Sequence, residues 1–275
     1  MSTFEVRGRD GLARLGLLRL EETEIQTPAA VEMQKLFPSL ENRAFTNLPL
    51  SAPASDAERY YVPGSNPVLF HPQAVCPAVS GDVVMVSGWR QALGDAKRAA
   101  EYLGAVLAGT PPDTARYAPA AALPSNAAML IATGFDLFDY MAVDLASVQG
   151  KFCLPEGEFD ASYMEKGVCG CEGCRTKNLF LHNRLALDRE IAFVKTWISA
   201  GQMRELMEQR CRLNAEQVAL LRRLDRSAFV AAALPVVRSS RFLANSAESM
   251  TRQEIAFFED RVVNRFVPSR NDVCV

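Results

Sequence analysis

The chain has 275 residues, 49% of them hydrophobic and 23% charged, with a formal net charge of −2. That balance suits one large soluble domain, or a domain with an appendage, and excludes a protein that gathers polyanions by bulk charge. No run of apolar residues approaches a membrane span, and Glu5, Arg7, Arg9 and Asp10 near the start are unlike a signal peptide, so a cytoplasmic protein with no membrane partner is expected.

The first thirty residues alternate short apolar runs with polar turns: Phe4-Glu-Val6, Ala13-Arg-Leu-Gly-Leu-Leu18 and Ile25-Gln-Thr-Pro28, broken by Gly8, Gly11 and Gly16. They predict short strands that cap a sheet or barrel. From Pro38 to Pro77 the chain is rich in Pro, Ser and Asn and carries no sustained period. Val83 to Ser87 predicts a buried strand, and Leu93, Ala96, Ala100, Leu103 and Leu107 recur at helical spacing after it. Arg116-Tyr-Ala118 as strand and Ser125 to Thr133 as helix, closed by Gly134, form a second such unit. Phe135 to Tyr140 opens a third. This alternation predicts an α/β fold with a mostly parallel sheet, open or closed into a barrel.

Helices dominate the remainder. Leu187, Ile191, Val194 and Ile198 share one face of a helix running from His182 to Gly201, and Thr251 with Glu254 suggests a capping box ahead of an apolar stripe of Ile255, Phe258, Val262 and Phe266. Arginines crowd the segment from Arg204 to Arg241, through Arg210, Arg212, Arg222, Arg223, Arg226 and Arg238. They fit an RNA footprint or an ordinary solvated helix face.

Three cysteines, Cys169, Cys171 and Cys174, stand just upstream of His182, one of two histidines in the chain. Three thiolates and an imidazole can converge on a tetrahedral Zn²⁺, and Gly170 and Gly173 supply backbone freedom between the sulfurs. A chance cluster of thiols and an iron–sulfur site completed by another cysteine are the alternatives. With four protein ligands such a metal is structural. Cys76, Cys153, Cys211 and Cys274 read as buried apolar side chains, and His71, between Phe70 and Pro72, as a packed or turn histidine. Asp136 and Asp139 fall at a strand end, where α/β folds place functional groups; as loop or cap acids they would be purely structural. A phosphate loop and a serine nucleophile elbow are absent.

Taken together these residues resemble the tRNA-guanine transglycosylases, which exchange a guanine of tRNA for a 7-deazaguanine. The resemblance is carried by Phe4-Glu-Val-Arg-Gly-Arg-Asp-Gly-Leu-Ala-Arg-Leu-Gly16, Ile25-Gln-Thr-Pro-Ala29, Gly134-Phe-Asp-Leu-Phe-Asp139, Gly150-Lys-Phe-Cys-Leu-Pro-Glu-Gly157 and the Cys-x-Cys-x-x-Cys run with His182. It implies a shortened (β/α) TIM-type barrel over residues 1–165, a zinc-binding helical part over 166–275, and Asp139 at the position of the family's covalent nucleophile. The family's Thr-Asp-Ser-Gly run is missing. Ser239-Ser-Arg-Phe-Leu-Ala-Asn-Ser-Ala-Glu-Ser249 is similar to the archaeosine synthase branch of the family, in archaea, reported to attach lysine to a cyano-deazaguanine at position 15 of tRNA. That similarity implies the transglycosylase-like half of a split archaeosine synthase: tRNA or the base bound here, with Asp136, Arg222 and Arg223 as candidate contacts, and the lysine-transfer chemistry on a separate C-terminal subunit. A self-sufficient transglycosylase using Asp139, and a noncatalytic scaffold or homodimerisation module, are the other two expectations.

Overall fold

The computed structural model describes residues 3–20, 23–32, 53, 68–70 (as backbone), 82–234, 241–265 and 267. Most of the Pro38–Pro77 stretch, together with His71, Cys76, Arg238, Phe266 and Cys274, lies outside these residues.

The opening strands form as their alternation predicts. β1 (Thr3–Asp10), β2 (Ala13–Leu20) and β3 (Thr23–Thr27) make an antiparallel meander, with Asp10 opposite Ala13 across a two-residue turn at Gly11 and Leu12. A second, five-stranded sheet follows. It contains β4 (Ala29–Ala30), β5 (Val68–Phe70), β6 (Val83–Val86), β7 (Ala115–Ala118) and β8 (Leu137–Phe138), in the order β4-β8-β7-β6-β5 with every pairing parallel. The last strand thus lies against the first. Crossovers run through α1 (Trp89–Ala92) with α2 (Ala96–Gly109), and through α3 (Ala127–Ala132). Gly134, at φ 96°, takes the left-handed conformation that lets the chain leave α3 and enter β8.

Period-two alternation decides the layering. Val83, Ala115, Tyr117 and Leu137 join Phe4, Leu18 and Ile25 in one apolar cluster, so this sheet face packs on the meander. Val84, Val86, Ala118 and Phe138 point the other way, into the main core with Trp89, Leu103, Leu130 and Phe135. Both faces are therefore covered, as a parallel sheet requires. The buried side of α2 is Ala96, Ala99, Tyr102, Leu103 and Val106, while Ala100 and Leu107 are half-buried, one step from the stripe read in the sequence. The third unit is shorter than Phe135–Tyr140: β8 holds two residues, and α4 (Met141–Val148) starts directly after Tyr140.

β9 (Lys151–Leu154) and β10 (Gly157–Asp160) form a hairpin, and a 3-10 turn (Ala161–Lys166) leads to α5 (Glu172–Arg175). The long α6 (Leu179–Ser199) buries Leu187, Ile191, Val194 and Ile198 as predicted. Among the described residues no helix is long and apolar enough to cross a membrane. α7 (Met203–Cys211), α8 (Ala215–Leu224) and α9 (Ala228–Ala233) follow, and Leu206, Leu220 and Leu224 extend the core that began at Ala13, so apolar packing runs without a break across residue 165.

The C-terminal segment is fixed by charge. Arg252, fully buried, donates from Nε and Nη2 to Glu208 (2.7 and 2.8 Å) and from Nη1 to Glu205 (3.0 Å). Arg204 bridges Glu208 to Asp225, whose carboxylate also accepts from Thr251. The capping box read at Thr251 and Glu254 is not present: the reciprocal pair is Ser246 with Ser249, heading a 3-10 turn (Ala247–Thr251), and Arg252 occupies the N-cap of α10 (Gln253–Phe258). Ile255 and Val262 are half-buried and Phe258 is exposed, so the expected stripe does not enter the core. Burial alone would push the Glu208 carboxyl up, but hydrogen bonds from Arg252, Ser249 and Arg204 hold it below the ordinary Glu value. The stability it contributes is present above that ordinary value and lost as pH falls through the lower folded-state value.

Arg252→Met takes the shared guanidinium from the buried Glu205 and Glu208 carboxylates and leaves Glu208 with Arg204 as its cation. Chemical denaturation should show a loss of about 3–5 kcal/mol at neutral pH, shrinking in acid as Glu208 takes up a proton; a loss below about 1 kcal/mol would show that the network does not hold the segment.

Candidate metal centre and the carboxylates of the sheet

Asn178 caps α6, its side chain accepting from the Leu181 N–H, and the first turns of this helix project His182 toward the cysteine loop. Cys171 ends the loop as the N-cap of α5, and Cys174 lies one turn later. The sulfurs of Cys169, Cys171 and Cys174 and a nitrogen of His182 all lie within 4.8 Å of one another. Nδ1 of His182 is 3.3 Å from the sulfurs of both Cys171 and Cys174. A tetrahedral ion with bonds of about 2.0–2.3 Å sets its ligand atoms about 3.5 Å apart, so the donor set fits one ion.

The imidazole is prepared for that role. Nε2 lies 3.1 Å from the Cys153 carbonyl, an acceptor that forces Nε2 to carry the proton and leaves the Nδ1 lone pair facing the sulfurs. Phe152 stacks on the ring at 3.8 Å between centroids, 6° from parallel. Burial holds the imidazole below its ordinary pKa, with the Arg189 charge adding to the shift, so it is neutral when a metal needs it. Burial pushes the Cys174 thiol up to about 12, helped by its hydrogen bond with Cys171. For Cys169 burial is the largest influence but is outweighed by hydrogen bonds from the Cys171 N–H and the neighbouring thiols, with Arg189 nearby, and the thiol falls below its ordinary value. Three close thiols cannot all ionise cheaply; a cation supplies the missing charge.

The two glycines differ from expectation. A Cβ on Gly173 would lie 2.2 Å from the His182 nitrogen, so close approach of backbones is what demands glycine there. Gly170 would meet nothing within 4 Å and has no such requirement.

Asn183 was missed in the sequence. Fully buried, it accepts from the Cys153 N–H and donates to the Ser147 hydroxyl and the Lys151 carbonyl, each at 2.8 Å, tying β9 and α4 to α6. A signal existed: Asn183 lies four residues before Leu187, so the apolar stripe extended backward puts a polar side chain in the core, where it must be hydrogen-bonded.

Asp136 and Asp139 occupy opposite ends of β8. Asp136 precedes the strand, is fully buried and takes a bidentate pair from Arg14, with a third bond from the Arg116 N–H at 2.8 Å. Arg14 also donates to the carbonyls of Pro112 and Thr114, so this carboxylate joins the meander to the sheet. Asp139 follows the strand at its carboxyl end and is 4% exposed. It accepts from Tyr117 Oη at 2.5 Å, from Ala120 N at 3.0 Å and from Met141 N at 2.9 Å. Burial nonetheless keeps its carboxyl above the ordinary Asp value and, with the facing Asp139 charge, lifts the Tyr117 phenol well above its own. The arrangement braces the loops after β7 and β8.

Most of the arginine run is committed to internal partners: Arg204 to Asp225 and Glu208, Arg210 to Glu190, Arg212 to the Asn245 carbonyl, and Arg222 to Glu248 at 2.7 Å. Arg223 and Arg226 are exposed.

No family model matches the chain. Archaeosine synthase subunit alpha of Methanosarcina acetivorans is 33% identical over 208 residues, which cover 70% of this chain and 33% of that protein. The archaeosine synthase of Haloferax volcanii is 29% identical over 291 residues, covering 96% of this chain and 50% of that protein. The tRNA-guanine(15) transglycosylase of M. acetivorans is 29% identical over 185 residues, 61% of this chain and 38% of that enzyme. The chain is a relative of the archaeal archaeosine synthases and tRNA-guanine transglycosylases. It spans half or less of the length of each of these three relatives.

Two substitutions probe the two centres separately. Gly173→Ala should abolish metal binding, measured as metal per chain after purification, while wild type retains about one tightly held ion per Cys₃His set; equal metal content in the two would overturn the assignment of Gly173. Asp139→Asn replaces an acceptor by an amide that meets backbone N–H donors, and should cost about 1–3 kcal/mol in unfolding free energy.

Proposed function

We propose that the chain is the transglycosylase-like part of an archaeosine-forming system, binding tRNA or its deazaguanine while a partner polypeptide carries the lysine-transfer chemistry. The observation that carries this reading is the enclosure of Asp139: the carboxylate at the nucleophile's place is buried and accepts from Tyr117, Ala120 and Met141. A nucleophile must present a lone pair to the substrate, and here donors from β7, the loop after it and the first turn of α4 already take most of the carboxylate's about four acceptor sites. The alignment with an archaeosine synthase along nearly the whole chain supports the same reading.

Two structural statements belong to this proposal. The five parallel strands, with the last lying against the first, form part of a (β/α) barrel whose lower end the meander closes; the strand order supports this. The metal is Zn²⁺, held by Cys169, Cys171, Cys174 and His182. Four protein ligands leave it no open position, so its contribution is to hold β9, α5 and α6 together rather than to activate water. The residues of this chain bind, orient and exclude solvent.

The test uses the purified chain with tRNA bearing 7-cyano-7-deazaguanine at position 15, plus lysine. Bound tRNA without lysine transfer is the expected result; transfer by the chain alone would refute the division of labour. Base exchange through Asp139 predicts instead a covalent protein–RNA adduct with wild type and a free deazaguanine, lost in Asp139→Ala.

A further inference from the structure

The chain is acidic overall, so any RNA it holds must be met by a local positive field. Sequence order hides where that field is. α8 packs against α2. Asp95, the exposed N-cap of α2, feels both charges: its carboxyl is held below the ordinary value first by the Arg98 N–H and then, among smaller influences, by the charges of Arg98 and Arg223, and its own charge offsets one of the three arginines. Arg98, Arg223 and Arg226 are exposed, and none has an ion pair among the described residues. Arg223 stands in the last turn of α8 and Arg226 in the turn that follows it, where its N–H donates to the Arg223 carbonyl at 3.1 Å. Beside them a groove of about 280 Å³ is lined by Arg222, Arg226, Ala247, Glu248 and Thr251. Glu248 within it is already neutralised by Arg222, so it presents little net charge to an incoming anion.

We propose that Arg98, Arg223 and Arg226, with the adjoining groove, form a docking face for the phosphate backbone of RNA. This rests on the tRNA-binding reading above and adds the surface that performs it. Arg222, one of the two arginines singled out in the sequence, is largely spent on Glu248, whereas Arg98, distant in the chain, takes a place on the face. Contacts of this kind position a nucleic acid without reading its bases, because guanidiniums on phosphates carry no sequence information.

The experiment measures binding of an unmodified tRNA transcript to the full chain across a salt series. Three proteins are compared: wild type, the triple variant Arg98→Gln/Arg223→Gln/Arg226→Gln, and a control, Arg7→Gln/Arg19→Gln/Arg265→Gln, which removes the same charge from exposed, ion-paired positions. Unfolding midpoints report that each remains folded. The face predicts that the first triple variant binds about tenfold or more weakly at low salt and that its log–log salt slope is shallower by roughly one per arginine removed, with the control close to wild type. Equal behaviour of the two triple variants would place the RNA elsewhere on the chain and overturn the face while leaving tRNA binding intact. Absence of binding by wild type would overturn the tRNA reading and the face with it.

Discussion

The structure turns on two adjacent residues of α6. His182 turns its Nδ1 to the sulfurs of Cys171 and Cys174 and its Nε2 to the Cys153 carbonyl, while Asn183 takes the Cys153 N–H and reaches Ser147 and Lys151. One residue of β9, Cys153, thus has both its N–H and its C=O held by neighbouring side chains of α6. Because the same two residues hold α4, β9 and the cysteine loop, an ion taken up by that donor set would be coupled to the packing of α6 on the sheet domain. A metal ligand whose second nitrogen is anchored to backbone is oriented before the ion arrives, which lowers the entropic cost of assembling the site.

Charge organises what apolar packing leaves open. At the amino end of β8 the Arg14–Asp136 pair joins meander to sheet, with Arg116 buried alongside, its own pKa brought down to about 10 by burial and by the neighbouring Arg14. In the C-terminal part Arg252 does the same for a segment that has no regular hydrogen-bonded structure over residues 241–245. Buried ion pairs add little net stability over apolar replacements, but losing one partner is costly, so they select a single arrangement against slipped alternatives.

At Asp139 a motif match and a catalytic role are separate questions. The carboxylate sits where a strand end meets the loops of an α/β fold, and the relatives include enzymes named for base exchange. Its hydrogen bonds join β7, the loop after it and the first turn of α4. A burial-raised pKa at such a place is a common mark of function, yet it follows equally from desolvation of a group that braces the fold.

The sequence by itself determined the local elements. Alternation set β1 to β3 and β6, helical spacing set α6, Gly134 marked the end of α3, and the Cys and His spacing singled out the four residues that the structure brings within 4.8 Å of one another. These are properties of neighbours along the chain, where covalent geometry limits the choices. Tertiary structure decided the rest. It buried Asp136 with Arg14, enclosed Asp139 beneath Tyr117, gave Thr251 to Asp225 instead of a capping box, and brought Arg98 beside Arg223. Each depends on which distant segment supplies the partner for a polar group leaving water, and that is settled by how the layers pack, not by the residue's own neighbours.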